Sequence, residues 1–167
     1  GHAGGDFAVL WESISDETDR RDVLIRKVAA DGTPYPGEHL LSERAGVSQF
    51  WSDVAAEGSG TLMLAAWTTL FEDGDAEGIG GRFVFSEPGS DLVPDASGWS
   101  SFRANEETSG TQAYPAVADV GAPRGGGLML VWDSMGEDGS GRGIVGRLVE
   151  VPTAAGAETR LGTPFPV

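Results

Sequence analysis

The side chains best suited to chemistry in this sequence are carboxylates, and they come in pairs at a recurring place. Asp16 and Glu17, Glu72 and Asp73, and Glu137 and Asp138 follow Trp11, Trp67 and Trp132 by five and six residues. Asp19, Asp75 and Ser140 stand two residues further on, with Gly74, Gly78, Gly139, Gly141 and Gly143 around the later copies. Clustered carboxylates on a glycine-bent loop suit a hard cation such as Ca²⁺, which takes about six to eight oxygens at roughly 2.3 to 2.6 Å and accepts irregular geometry. The candidate ligands are Glu72, Asp73, Asp75, Glu77, Glu137 and Asp138, and calcium is the candidate ion. The second copy, EDGDAEG, is the richest in oxygens, although its spacing is not that of an EF-hand. The same Asp and Gly content also makes a good hairpin without any ligand, since both residues supply turn conformations.

A second chemistry is offered by aromatic rings. Trp11, Trp67 and Trp132 each end an apolar run and each precede an arginine, Arg26, Arg82 or Arg147, by fifteen residues. That fixed register is explained by packing, with large rings buried in a core or between repeated units. The arginines, on the partner strand, are expected to pair with a loop carboxylate or stack on the Trp. Trp51 and Trp99 stand outside the Trp register and, with Tyr114, are the candidate platforms for a ligand, most simply the apolar face of a sugar ring. Hydrolytic motifs are missing: there is no G-x-S-x-G, H-E-x-x-H or P-loop, and His2 and His39 are the only imidazoles. An acid and a base for glycoside hydrolysis can come from any two loops. A carboxylate pair that recurs with the repeat is better explained by a recurring structural need, and the sequence is not expected to be an enzyme.

Charge narrows the partners. A formal net charge of −15, from 26 acidic against 11 basic residues, disfavours a phosphate backbone or an anionic membrane surface. Cations, neutral sugars and basic proteins remain. Cysteine is absent, which excludes disulfides and thiolate metal sites and leaves the redox compartment open.

The elements that must carry these groups are strands. LMLAAWTTLFEDGDAEGIGGR at Leu62 to Arg82 and LMLVWDSMGEDGSGRGIVGR at Leu128 to Arg147 are near copies, and FAVLWESISDETDRRDVLIR at Phe7 to Arg26 is a worn third. Short apolar runs between turn clusters, with 26 glycines and 9 prolines, indicate an all-β chain. Strands are expected at 7–11, 23–28, 38–41, 49–55, 61–67, 78–85, 99–103, 112–118, 128–132, 143–151 and 158–161, and QFWSDVA at Gln49 matches QAYPAVA at Gln112. Residues 1–5 read as a leader or tag remnant, and 6–167 as one repeat domain with units 6–60, 61–126 and 127–167. Four short antiparallel strands per unit describe a β-propeller blade. The tail, GTPFPV, is expected to begin another strand of the Gln49 type and so complete the first unit. Three blades are too few to close a ring. Either two chains form a homodimer with a six-bladed ring, or the chain is part of a longer array, or the units form a β-trefoil.

The course TSGTQAYPAVADV followed by GGGLMLVWDSMGEDGSGRGIVGRLVE resembles a repeat found in long arrays in secreted bacterial surface and adhesin-type proteins. The likeness covers units two and three, whereas the loop of unit one lacks the glycines. It implies an extracellular, propeller-like scaffold, secreted or at the cell surface, whose work is adhesion or ligand binding to a glycan or surface protein. A structural or protein-interaction scaffold without a small ligand is the alternative, and a glycosidase is the least favoured.

Overall fold

Thirteen strands and no helix make up the described residues. The structure is a computed structural model that describes residues 5–15, 19–42, 47–72, 74–93, 100–121, 127–136, 139, 141–151 and 159–167. The first sheet holds β1 (Phe7–Ser15), β2 (Arg20–Val28) and β3 (His39–Leu40). The second holds β4 (Gln49–Ala56), β5 (Leu62–Leu70), β6 (Glu77–Ser86), β7 (Leu92–Val93) and β8 (Phe102–Arg103). The third holds β9 (Gln112–Asp119), β10 (Leu128–Met135), β11 (Arg142–Glu150), β12 (Arg160–Leu161) and β13 (Phe165–Pro166). Every pairing is antiparallel. The chain is therefore an all-β repeat of three separate blade-like sheets, and the described strands form no closed barrel of the kind a trefoil requires.

Register explains the spacing from Trp to Arg. Trp11 faces Leu24, Trp67 faces Gly80 and Trp132 faces Val145 across the central hairpin of each sheet, and the arginine lies two residues beyond each partner. The outer strand is broken in two. On β6, β7 pairs at Phe85 and Ser86 while β8 pairs at Gly80 and Gly81. On β11, β12 pairs at Val149 and Glu150 while β13 pairs at Val145 and Gly146. Phe102 lies over Gly81 and Phe165 over Gly146, each ring filling the space where a Cβ would stand.

Two expectations change here. The tail does not complete the first unit, because β13 occupies on β11 the place that β8 holds on β6 and β3 holds on β2. It is the second half of an outer strand. Residues 49–56, placed in unit one by the sequence, pair with β5 and belong to the second sheet. Among the described residues the first sheet has no inner strand equivalent to β4 and β9, and β1 pairs with β2 alone. β7 lies in a stretch rich in Pro, Gly, Ser and Asp that carries little strand signal.

Both faces of the middle sheet are buried. Met63, Ala65 and Trp67 point toward sheet one and meet Val23, Ile25 and Leu41, whereas Leu64, Ala66, Ile79 and Phe83 point toward sheet three and meet Leu130, Trp132 and Val145. The repeat tryptophans Trp67 and Trp132 are 2% and 1% exposed, so each fills the joint with the preceding sheet. Trp11, which has no preceding sheet among the described residues, is only half-buried.

The arginines of the second and third sheets reach back to the preceding sheet. They cross the joint to a main-chain carbonyl: Arg82 Nη1 donates to Leu41 O at 3.3 Å, and Arg147 Nη1 donates to Ala104 O at 2.6 Å. Leu41 and Ala104 are equivalent, each donating its own N–H to the matching residue of its hairpin, Val23 or Ile79. Arg147 also donates through Nε to Gly162 O at 2.5 Å and through Nη2 to Glu106 at 2.7 Å. A planar fork of donors suits this task better than an ammonium. The first joint has an additional clamp. Lys27, fully buried, donates to Glu87 O and Ser90 O at 2.8 Å each, pairs with Asp6 at 3.2 Å and lies 4.7 Å from the centre of the Tyr35 ring.

Asp91 ties the same joint from the other side, accepting from Gly37 N at 2.6 Å and Leu92 N at 2.8 Å, with His39 Nε2 at 3.5 Å. Burial pushes its carboxyl upward, but these N–H groups and His39 outweigh it and hold the carboxyl below the usual range.

Two outcomes follow for stability. Arg147→Met strands the buried carbonyl of Ala104 and the half-buried one of Gly162 and is expected to cost about 3 kcal/mol in chemical denaturation. For Asp91 the charged form is favoured in the folded state, so its contribution is complete above the ordinary carboxyl value near pH 4 and is lost as pH falls through the lowered folded value. Asp91→Asn should therefore reduce the melting temperature at pH 7 and flatten its fall below roughly pH 4; an unchanged pH profile would refute this role.

Candidate functional site

The inner strands β4 and β9 each carry a bulge opposite a repeat tryptophan. Between the pairs Phe50–Thr68 and Asp53–Ala66, two residues of β4, Trp51 and Ser52, oppose Trp67 alone. Between Ala113–Asp133 and Ala116–Val131, Tyr114 and Pro115 oppose Trp132. A bulge leaves one residue out of the ladder and re-aims its side chain. It also accommodates Pro115, which has no N–H to give to a ladder.

Trp51 and Tyr114 hold equivalent positions in these bulges. Both have positive φ, 50° and 57°, a region that costs a non-glycine residue roughly 1 to 3 kcal/mol. The freed N–H of each is taken by the preceding sheet: Trp51 N donates to Glu12 Oε1 at 2.5 Å, and Tyr114 N donates to Thr68 Oγ1 at 3.1 Å. Glu12 and Thr68 are themselves equivalent, one residue after Trp11 and Trp67. Asp133 is the third of the set; its Oδ2 accepts from Arg142 at 3.1 Å and its Oδ1 is buried with no hydrogen-bond partner among the described residues.

Neighbouring bulges bring the two rings together. Trp51 and Tyr114 stack with centroids 4.0 Å apart and planes 27° apart, and Phe50 meets the Trp51 ring edge-on at 4.6 Å. Asp53 fixes the spacing of the inner strands by accepting from Val117 N at 2.8 Å. Despite their contact the rings remain 39% and 50% exposed. The result is a two-ring platform on the surface, held by main-chain bonds to neighbouring sheets. Of the three platform residues expected from sequence, two meet and Trp99 lies outside the described residues.

The carboxylate set divides differently. Asp73, Glu137 and Asp138 lie outside the described residues, as do Asp16, Glu17 and Ser140. Asp75 Oδ2 accepts from Gly110 N at 2.9 Å and Glu77 Oε2 accepts from Thr111 Oγ1 at 2.7 Å. These two side chains thus staple the second hairpin to the connection entering sheet three. Glu72 lines an open hollow with Thr69, Gly78, Ile79, Gly80 and Arg103. Among the described residues no three His, Cys, Asp or Glu side chains are grouped to hold a metal.

Sequence reasoning missed the supporting residues Phe50, Glu12 and Thr68, which meet the platform only through the fold. It also passed over Phe71, 64% exposed with φ 58°, in the hairpin position where the third unit has Gly136 at φ 85°. The signal was a bulky residue standing where its repeat partner is glycine.

Glu12 and Asp53 each accept a main-chain N–H, and the stacked pair leaves both Trp51 and Tyr114 partly exposed. No family model, curated protein or solved structure matches the chain.

Strain and packing give opposite expectations for two tryptophans. Trp51→Gly relieves the positive φ and loses the ring contacts, so stability should change by less than about 1 kcal/mol. Trp67→Ala opens a cavity in the first joint and should cost about 3 to 5 kcal/mol. Urea unfolding of both variants checks the contrast; comparable losses would make Trp51 a packing residue.

Proposed function

We propose that the protein is a ligand-binding module, of adhesion type, that takes the apolar face of a neutral sugar on the Trp51–Tyr114 platform. One observation carries the reading: two large rings are exposed, stacked, and held in unfavourable backbone conformations at equivalent bulges. Strain retained at such positions is a pointer to function. A residue without a Cβ would fit the positive φ better, so the rings are kept at these positions against a backbone cost. Pyranose rings present C–H faces that lie flat on indole and phenol, and a chain of charge −15 repels anionic partners more than neutral ones. An open platform of this size favours weak contacts used in number, the regime in which linked sites gain avidity. The resemblance to repeats of secreted bacterial surface proteins agrees with this use.

Calorimetric titration with a panel of neutral oligosaccharides tests the proposal. Binding is expected in the high-micromolar to millimolar range, weakened at least tenfold by Trp51→Ala and by Tyr114→Ala. No heat from any member of the panel with a folded sample would remove the sugar reading and leave a scaffold without a small ligand.

A further inference from the structure

Backbone strain on aromatic residues extends beyond the ring pair. Of the four non-glycine residues with positive φ among the described residues, three are the aromatics Trp51, Tyr114 and Phe71. Phe71 closes the hairpin between β5 and β6, donating its N–H to Ala76 O at 2.7 Å, as Gly136 donates to Gly141 O at 2.7 Å in the next hairpin. The third sheet thus fills this conformation, at φ 85°, with the residue that adopts it most readily, whereas the second keeps a phenyl ring there at φ 58°. At 64%, Phe71 is the most exposed aromatic residue among those described.

Phe71 and Tyr114 flank one seam, where the second hairpin meets the connection entering sheet three. Tyr114 N donates to Thr68 Oγ1 at 3.1 Å, Thr111 Oγ1 donates to Glu77 Oε2 at 2.7 Å, and Gly110 N donates to Asp75 Oδ2 at 2.9 Å. Across the hairpin Thr68 pairs with Ile79 and Leu70 with Glu77, so these bonds run in order toward the tip. Phe71 lies three residues beyond Thr68, roughly 10 Å along the strand direction at the usual rise. A single pyranose ring does not span that distance, but a chain of sugars does. Its hydroxyls also find acceptors on the way, because a carboxylate takes up to about four hydrogen bonds and both Asp75 and Glu77 stand on the seam.

We infer that the ligand is an oligosaccharide of several units, laid along this seam from the Trp51–Tyr114 pair to Phe71, which holds a second apolar sugar face. The inference rests on the sugar reading above and adds to it a length, a direction and a second contact. The mixture of rings and carboxylates selects a neutral, hydroxylated chain. An anionic chain meets Asp75 and Glu77 with like charge, and a purely apolar one removes their water without replacing its hydrogen bonds.

Titrations followed by amide and indole NMR signals test this, with cello-, malto- and manno-oligosaccharides of one, two, four and six units as probes. Affinity for the series that binds is expected to rise at least tenfold between one unit and four. Phe71→Gly, which matches the third hairpin at this position, should bring the four-unit chain to within about threefold of the single sugar, whereas Phe71→Tyr should keep the gain. The melting temperature of Phe71→Gly should not fall by more than about 3 °C, and a larger fall would make Phe71 a packing residue and overturn the inference. Equal affinity for one unit and four, or a gain with length that survives Phe71→Gly, overturns it while leaving the ring pair as a sugar site. Binding of no member of any series removes the sugar reading and this inference with it.

Discussion

The middle sheet of this protein is buried on both faces, and that constraint shapes the rest of the molecule. A sheet with one apolar face needs one partner; β5, buried on both sides along nearly its whole length, needs two. The solution is a row of sheets joined face to face, with Trp67 and Trp132 filling the joints. The tryptophan cannot by itself fix how far one sheet slides along the next, because hydrophobic contact is non-directional. The arginine supplies direction. Arg82 and Arg147 each find a carbonyl at the end of the preceding sheet, and a buried carbonyl left alone is costly.

The same joint explains the platform. Because Trp67 and Trp132 occupy the space beside the inner strand, each inner strand inserts an extra residue opposite the ring, and the bulge turns Trp51 or Tyr114 outward. The displaced N–H must be satisfied, and the preceding sheet supplies Glu12 or Thr68 to accept it. Packing, main-chain pairing and the exposed ring pair are thus linked at one level of the sheets. A change to the repeat tryptophan would disturb the bulge that presents its neighbour.

Much of the fold was legible because repetition fixes register. Trp11, Trp67 and Trp132, each fifteen residues before an arginine, mark the central hairpins, and the near copies around them announce three all-β units. Less legible was the allocation of strands at unit borders. QFWSDVA and GTPFPV carry turn and strand signals of similar strength, and only pairing shows that the first opens the second sheet while the second ends the third. The arginines were legible as residues that hold a unit together; the main-chain carbonyls they reach were not, since every residue has one and none is marked as a partner in a sequence.

The sequence by itself determined the strand class, the number of repeats, the buried role of two tryptophans and the acidic charge that narrows the partners. It also singled out Trp51 and Tyr114. The tertiary structure decided that these two rings touch, that they sit at strained bulges, and that Asp75 and Glu77 hold the neighbouring connection. The physical reason is one of range. Hydrophobic period and turn chemistry act over a few residues, whereas the distance between Trp51 and Tyr114 depends on how two sheets slide against each other. That slide is set by long-range contacts, such as Arg147 with Ala104 and Asp53 with Val117, whose partners no local pattern identifies.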